Sequence, residues 1–499
     1  KPPPPPAAAV PGRVRVVYLP EAEKQRIREE LREEVLQTAR KENWAQPGQI
    51  PDWVKHMKLS ADFMSRGEGQ FYDRGDGSCN TGNNCDFFDF QRLNNSGTPY
   101  NARVLNVQNG TNRLSNLPFI NSREDRRLLR MRVRLGLDLR VSDDLTMGLR
   151  LATGNDSNPV STNQTLGNDF NKYNFLLDRA FVRYTPLSTL TATLGRAPNP
   201  FATGVELVWD RDLSFDGLSL QWLQEKGRNQ WRVAGGFFSV ENTDPNYPGN
   251  GDVKFASRDK YLAGVQGEWS WQWTEKSSLR GSLGYFDFLN AAGQKSTKCT
   301  PLTTSDSCDT DVSRPRFVQK GNTMFGIRDL NVGNNDPVYQ YYGLASDFRV
   351  LDAAASLDHK IGGPLHLALD ADYARNLGFN QARVVAREPF NNFSPTGNGY
   401  AIGGEGFQVQ ARIGHPLIRQ KGEWQTTLGY RYVESDAVMD AFTDSDFHLG
   451  GTNAKGYYVG GYYGFAQNAS VGARYLSATE VSGPRLAIDL LQIDINVRY

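Results

Sequence analysis

Arginine is the residue type whose spacing in this chain most clearly predicts a chemical role. In the segment 127–141, arginines alternate with leucine, methionine and valine, so an extended strand would carry a basic face and an apolar face. Arginines of the same parity continue into the next segments, and the set is Arg130, Arg132, Arg134, Arg140, Arg150, Arg179 and Arg183. A guanidinium group keeps its charge in a confined space and binds carboxylate or phosphate groups with two hydrogen bonds. The pattern predicts either a surface that attracts anions or a wall whose arginines pair with neighbouring acids.

Two groups of acidic residues are candidates to face these arginines. The first lies in the segment NPFATGVELVWDRDLS and consists of Glu206, Asp210 and Asp212. The second shares one strand parity and consists of Asp352, Asp358, Asp370 and Asp372. If both groups and the arginines surround one cavity, a basic wall faces an acidic wall, although Glu268 interrupts this division. Such a wall pair creates a transverse field that orients dipolar solutes and separates the paths of ions.

The elements that would carry these residues are strands, because a period of two dominates the chain after Val54. We count about 16 such segments: 57–66, 127–141, 144–154, 174–186, 188–197, 214–225, 229–241, 257–274, 277–289, 341–359, 364–376, 403–417, 422–435, 455–465, 467–479 and 485–499. Long and short connections alternate along the chain, and only 480–484 breaks the alternation. Sorting of short turns to one side and long loops to the other is typical of a barrel that crosses a membrane. The prediction is an all-β fold, a transmembrane antiparallel β-barrel over residues 51–499.

The C-terminal segment supports this fold class. Apolar residues alternate with polar ones up to the final aromatic residue, and the apolar series ends in Ile493, Ile495, Val497 and Tyr499. This ending resembles the closing strand of bacterial outer-membrane barrels, which serves as the signal for the barrel-assembly machinery. No run of 18 or more apolar residues occurs, so the sequence predicts no transmembrane helix.

The N-terminal region differs from the rest. Residues 1–19 are rich in proline and are predicted to be mobile, and residues 20–50 contain a helix with a narrow apolar stripe at Ile27, Leu31 and Val35. This helix would form a short coiled coil, lie against a partner, or remain a solvated charged helix. The chain opens at Lys1 without an apolar segment, so we expect that a signal peptide has been removed.

The cysteines indicate an oxidising compartment. The four cysteines form two close pairs, and we predict the local disulfides Cys79–Cys85 and Cys299–Cys308. A site with four thiolates is the alternative, but the spacings do not match a zinc knuckle and no histidine lies near. Stretches rich in Gly, Asp and Asn could bind Ca²⁺, although turns use the same residues, so we predict no metal and no cofactor.

Tryptophans and net charge add two further expectations. Six tryptophans lie near predicted short turns: Trp222, Trp231, Trp269, Trp271, Trp273 and Trp424. They predict either an aromatic girdle at a membrane interface or packing in a core. A formal charge of +1 argues against a nucleic-acid partner, because such proteins usually carry a clear basic excess.

The chain is similar to the "putative porin" family of bacterial outer membranes. The segments that carry the resemblance are ARKENWAQPGQIPDWVKHMKLSADF, LLDRAFVRYTPLSTLTATLGRAPNPF, ELVWDRDLSFDGLSLQW and LQIDINVRY. The resemblance implies a barrel embedded in outer-membrane lipid and lipopolysaccharide, a homotrimer, a third long loop folded into the lumen, and an N-terminal helix in the periplasm. The acidic Pro-Glu-Phe-Gly-Gly stretch of many such loops is absent here.

Together these features predict a porin for passive diffusion of small hydrophilic solutes and ions, with an arginine-rich lumen wall that favours anions. One alternative is a surface receptor or adhesin that uses the long loops 67–126 and 290–340. The other is an outer-membrane enzyme, since His366 has inward parity beside Asp370 and Asp372. No nucleophile-elbow serine and no HExxH motif accompany this histidine, so we expect no enzymatic activity.

Overall fold

The computed structural model describes residues 52–73, 87–96, 98–100, 119–202, 204–244, 252–331, 338–394 and 399–499, with Glu33 and Tyr247. The chain divides into two units, Lys1–Lys58 and Leu59–Tyr499. In the first unit, the described part contains the short helix α1, Asp52–Lys55, and the start of the first strand. The helix predicted for residues 20–50 and the disulfide predicted between Cys79 and Cys85 lie outside the described residues.

Sixteen long strands build the second unit, as the sequence predicts. They are β1 (Met57–Tyr72), β2 (Arg126–Arg140), β3 (Leu145–Ala152), β4 (Leu176–Leu187), β5 (Leu190–Pro198), β6 (Ser214–Lys226), β7 (Asn229–Glu241), β8 (Lys260–Gln272), β9 (Ser277–Leu289), β10 (Phe348–Gly362), β11 (Leu365–Asn376), β12 (Glu405–Gly414), β13 (Trp424–Val433), β14 (Ala454–Ala466), β15 (Ala469–Thr479) and β16 (Ile488–Arg498). Consecutive strands pair in an antiparallel ladder, and β1 pairs with both β2 and β16. The sheet therefore closes into a barrel with no free edge.

Shorter elements lie in the long connections. They are the helices α2 (Phe90–Ser96) and α3 (Gln381–Val385), the 3₁₀ turns at Asp311–Ser313, Asp440–Phe442 and Phe447–Leu449, and the short strands Thr98–Tyr100, Gln164–Thr165, Lys298–Cys299, Met324–Gly326, Asp329–Leu330, Val338–Gln340 and Tyr342–Leu344. Within the described ranges, no helix is both long and apolar enough to cross a lipid bilayer. We call the end of the barrel that carries the long connections the long-loop end, and the opposite end the short-turn end.

The two faces of the wall follow the predicted alternation. Outward apolar side chains are exposed, for example Leu194 at 62% and Ile493 at 52%. Gln492 and Asp494, on either side of Ile493, point inward and are buried. Five of the six tryptophans named above are exposed on the outer face near the short-turn end, and Trp269, Trp271 and Trp273 stack in a row. Their exposure excludes the core-packing alternative for those five residues.

Two strand boundaries differ clearly from the sequence prediction. Strand β1 continues from the predicted end at residue 66 to Tyr72, because its ladder with β16 extends to the pair Tyr72↔Ile488. Strand β10 begins at Phe348 rather than at residue 341, because Tyr342–Leu344 pairs instead with Met324–Gly326 inside a long connection. The disulfide Cys299–Cys308 is present in that same connection, with a Cα–Cα distance of 6.1 Å, and confirms its prediction.

A hydrophobic core fills the barrel near the long-loop end. Inward residues such as Phe286, Phe288, Phe348 and Val350 interrupt the polar series there, and loop residues such as Trp209 pack against them. The alternation of polar inward and apolar outward residues is therefore interrupted near the long-loop end. The apolar inward residues are explained by the loops that fold into the lumen and cover them.

Candidate channel interior

The connection between β5 and β6 folds into the lumen. We call residues 199–213 the constriction loop. Its Ala202 exchanges two hydrogen bonds with the side chain of Gln266 on β8, at 2.6 and 3.0 Å. Farther along, the carbonyl oxygen of Glu206 accepts a hydrogen bond from Arg431 on β13 at 3.1 Å. The loop therefore crosses the inside of the barrel, as the resemblance to porins implies.

Aromatic packing anchors this loop. Trp209 is only 1% exposed and packs against Phe201, Phe215, Phe286 and Phe288, with ring centroids 5.0–6.3 Å apart. Most of these contacts are tilted or edge-to-face, the arrangement that aromatic quadrupoles favour. The aromatic cluster joins the middle of the loop to β6 and β9.

A second connection meets the constriction loop inside the barrel. We call residues 434–453, between β13 and β14, the latch loop. The backbone N–H of Asp210 donates to the carbonyl oxygen of Phe442 at 2.8 Å, and the Ser445 N–H donates to the Asp210 carboxylate at 3.0 Å. Burial, with the nearby carboxylates of Glu206 and Asp212, raises the pKa of Asp210 well above its usual range. The two loops thus form one continuous body within the lumen.

Asp446 fastens the latch loop to the barrel wall. Its carboxylate accepts hydrogen bonds from Arg66 on β1 and Arg474 on β15, each at 3.1 Å. Arg66 also contacts Asp494 at 2.8 Å, so it is shared between the wall and the loop. Burial alone would raise the pKa of Asp446, but the two guanidinium groups outweigh it and hold that pKa well below its usual range. Arg66, Arg474 and Asp446 are not among the predicted site residues, although the inward parity of both arginines on their strands is visible in the sequence.

Four of the seven predicted arginines are paired with carboxylates. The pairs are Arg130–Glu68 at 3.2 Å, Arg132–Asp62 at 2.8 Å, Arg134–Asp62 at 3.2 Å, Arg134–Asp212 at 2.8 Å and Arg150–Asp178. Arg134 matters most for the lumen, because its partner Asp212 belongs to the constriction loop. The predicted pairing of loop carboxylates with the arginine series is therefore present at this position.

The other three predicted arginines have no carboxylate within ion-pairing distance in the described part of the chain. Arg179 donates to the hydroxyl of Ser214 at 3.2 Å, and the guanidinium of Arg183 lies 5.3 Å from the ring centre of Phe181. Arg140 is exposed near the short-turn end. In the ladder, Arg140 is opposite Thr146, which is in turn opposite Arg183. These two arginines consequently lie in one row, two strands apart.

The predicted acids lie in different environments. Glu206 faces Arg211 at 3.7 Å, and Asp370 accepts hydrogen bonds from Ser356, Gln410 and Arg412. Asp372 is buried beside Asp352. His366 hydrogen-bonds to Asp358 at 2.6 Å rather than to Asp370 or Asp372, the two acids that share its parity on β11. Asp358 is the diagonal neighbour of His366 across the β10–β11 ladder, since His366 is opposite Lys360 and Asp358 is opposite Ala368.

Comparisons with known proteins agree with this geometry. A closed antiparallel barrel with an apolar outer face and a polar lumen crossed by a loop defines the class of membrane channel barrels. The chain belongs to the family described as "Putative porin", which matches residues 3–499. The protein is thus an outer-membrane porin-type barrel. A comparison with curated proteins gives no match.

Solved structures resemble the chain at low identity. The outer membrane channel DcaP of Acinetobacter baumannii is 10% identical, with a TM-score of 0.40, over 89% of this chain and 98% of that one. OprB of Pseudomonas putida is 10% identical, with a TM-score of 0.45, over 89% and 95%. OmpF of Salmonella typhi, in complex with daunomycin, is 10% identical, with a TM-score of 0.40, over 89% and 97%.

Proposed function

We propose that the protein is a passive diffusion channel for small hydrophilic solutes and ions, with a preference for anions. The observation that carries this proposal is the constriction loop, which crosses a lumen whose wall is polar between its middle and the short-turn end. Diffusion through such a channel needs no cofactor and no catalytic group. The two-loop body narrows the path, which favours small solutes over large ones.

Two arginines support the anion preference. Arg140 and Arg183 project from neighbouring positions on the inner wall and have no carboxylate partner among the described residues. An unpaired guanidinium in a confined aqueous space attracts anions and repels cations. The paired arginines of the series contribute less, because their charge is balanced by Asp62, Glu68, Asp178 and Asp212.

The test is the reversal potential of purified variants in a planar bilayer across a KCl gradient. The double variant R140Q/R183Q should move the reversal potential toward the cation side while the channel keeps conducting. R196Q is the matched control, because Arg196 pairs with Asp216 on the outer face and its loss removes the same kind of charge outside the lumen. Equal shifts in R196Q and R140Q/R183Q would contradict the assignment of selectivity to Arg140 and Arg183.

We also propose the surroundings that the family resemblance implies. The exposed apolar belt around the strands suits outer-membrane lipid and lipopolysaccharide, and Ile493, Ile495, Val497 and Tyr499 would be read by the barrel-assembly machinery. A homotrimer is the proposed assembly, with the N-terminal helix in the periplasm. Light scattering of the detergent-solubilised protein tests the trimer, and a monomer mass would refute it.

A further inference from the structure

Two carboxyl groups meet in the inner wall, and no described cation forms an ion pair with either of them. Asp352 on β10 is 3% exposed and Asp372 on β11 is 6% exposed, and their carboxyl groups lie within hydrogen-bonding distance of one another. One oxygen of each group accepts no hydrogen bond from any described residue. Burying two adjacent carboxylates in this way is costly unless a positive species lies between them.

The neighbouring Asp370 provides the contrast. Its carboxylate accepts from Ser356 at 2.6 Å, from Gln410 at 3.0 Å and from Arg412 at 2.9 Å. Asp370 and Asp372 follow each other on the same face of β11, so the difference does not come from depth in the wall. Among the described residues, the wall supplies three side-chain donors to Asp370 but leaves one oxygen of Asp352 and one of Asp372 without a donor.

A third unpartnered oxygen lies beside this pair. Gln408 on β12 is directly opposite Asp372 in the ladder, is 4% exposed, and has a side-chain oxygen that accepts no hydrogen bond. Side chains at directly opposite positions have Cβ atoms about 4.5–5.5 Å apart. The three unpartnered acceptor oxygens therefore belong to neighbouring positions on three adjacent strands.

A hydrogen-bond chain determines which end of the Gln408 amide is the oxygen. Asp370 accepts from the Gln410 NH₂ group, so the Gln410 oxygen faces Tyr458 and accepts its hydroxyl proton at 3.0 Å. Because Tyr458 has given away its single proton, its oxygen must accept from the Gln408 NH₂ group, at 2.9 Å. The Gln408 oxygen is consequently left as a free acceptor, and a rotated amide would break this chain.

The surroundings leave room, and Arg431, the guanidinium whose charge acts on Asp372, directs its terminal N–H groups elsewhere. The residues opposite Asp352 and Asp372 in the β10–β11 ladder are Ala374 and Ala354, whose methyl groups fill little space. Arg431 lies on the far side of Gln408 in the next ladder. Its two terminal nitrogens donate to the Glu206 carbonyl, Thr443 and Asp444 rather than to this group.

We propose that Asp352, Asp372 and Gln408 form a binding site for a divalent cation, Ca²⁺ by the chemistry of the donors. All the free ligands are oxygens, two of them belong to carboxylates, and lumen water can complete the 6–8 ligands that Ca²⁺ takes. No group of three His, Cys, Asp or Glu side chains with metal-binding geometry occurs in the described ranges, so the amide oxygen is an essential third ligand. A bound Ca²⁺ would neutralise two negative charges of the wall opposite the arginines.

The test is calorimetric titration of the purified full chain in detergent with CaCl₂ after treatment with EDTA. The variants D352N and D372N should each lose at least about tenfold in affinity, because ligand charge sets the affinity of oxygen sites for Ca²⁺. D358N is the matched control, since Asp358 is an inward aspartate of the same strand β10 that bonds to His366 instead. Thermal unfolding with and without Ca²⁺ provides a second readout, in which the wild type and D358N should gain stability and the other two variants should not.

Three results would overturn the proposal. The first is a wild type that binds no Ca²⁺, and the second is equal binding by D352N, D372N and D358N. The third is a combination of two findings: Ca²⁺ does not change the melting temperature of the wild type, and EDTA-treated D352N melts at a higher temperature than the wild type. This combination would mean that Asp352 and Asp372 share a proton instead of binding a cation. None of these readouts uses conductance, so failure of this proposal is distinguishable from failure of the proposed channel function.

Discussion

Replacing Asp446 by asparagine should release the latch loop from the barrel wall. The substitution keeps the shape of the side chain and removes the charge that Arg66 and Arg474 share at 3.1 Å. Breaking a buried ion pair by removal of one partner costs about 3–5 kcal/mol. Here Arg66 retains Asp494 at 2.8 Å, and the Asp446 and Arg474 side chains are 19% and 23% exposed. We therefore expect a smaller cost of about 2–3 kcal/mol for the closed position of the loop.

This cost translates into local exchange rates. Since about 1.4 kcal/mol corresponds to a factor of ten in an equilibrium constant, the open state of the latch loop should become about 30 to 150 times more populated. Amide hydrogen exchange measures that population directly. The informative amides are those of Ser445, which donates to Asp210, and Thr452, which donates to the carbonyl oxygen of Lys320 at 2.8 Å.

The control for this experiment is D156N, which removes an exposed aspartate from another long connection. It should leave the exchange of Ser445 and Thr452 at the wild-type rate. Unchanged protection of both amides in D446N would refute the reasoning, because it would show that the two arginine contacts do not hold the loop. The low pKa of Asp446 also sets the pH range of the experiment. The contact with the two arginines contributes its full stability above the ordinary aspartate pKa, and this stability is lost as the pH falls through the lower pKa of the folded state.

Three further outcomes follow from the lumen geometry. Replacing Arg134 by glutamine should weaken the hold on Asp212 by about 1–2 kcal/mol and leave that carboxylate with its hydrogen bonds from Thr162 and the charge of Arg132. Because the lumen loses one positive charge, the reversal potential across a KCl gradient should move toward cations, and an unchanged potential would contradict the role of this pair. Trp209→Ala should destabilise the protein by about 3–5 kcal/mol in chemical unfolding and raise single-channel conductance, whereas wild-type conductance would show that the aromatic cluster does not position the constriction loop. Burial and the charge of Lys320 lower the pKa of His448, so the folded loop favours the neutral imidazole. Protection of the Thr452 amide from hydrogen exchange should therefore fall as the pH drops below the ordinary histidine pKa of about 6.5. This loss of protection should be absent in H448Q. Burial raises the pKa of Asp440 to about 7, so Asp440 stabilises the loop as the pH falls, and it does so equally in the wild type and in H448Q.

The strands could be predicted because lipid imposes one rule on every second residue. The segment predicted as 127–141 is observed as Arg126–Arg140, and the inward arginines of this strand followed from its parity alone. The same rule does not apply to the inner face near the long-loop end. There Phe286 and Phe288 point inward, because loops supply an apolar environment that no local pattern reveals.

Contacts between distant segments explain what the sequence could not predict about the interior. Asp446 and Arg66 are 380 positions apart, and Arg431 and Glu206 are 225 positions apart. A period of two shows which side of a strand faces the lumen, but not which loop reaches it. For the same reason, strand parity identifies the arginine series but not the carboxylate partners of its members. Four members form ion pairs, namely Arg130, Arg132, Arg134 and Arg150, whereas Arg140 and Arg183 do not.

The most direct test of the account is the reversal potential of the unmodified protein in a planar bilayer across a KCl gradient. We expect a stable conductance with a reversal potential that favours chloride, because Arg140 and Arg183 lie on the inner wall and, like Arg179, have no carboxylate within ion-pairing distance among the described residues. A cation-favouring potential would contradict the anion preference and give control of the path to the acidic wall. Absence of conductance would contradict the channel itself.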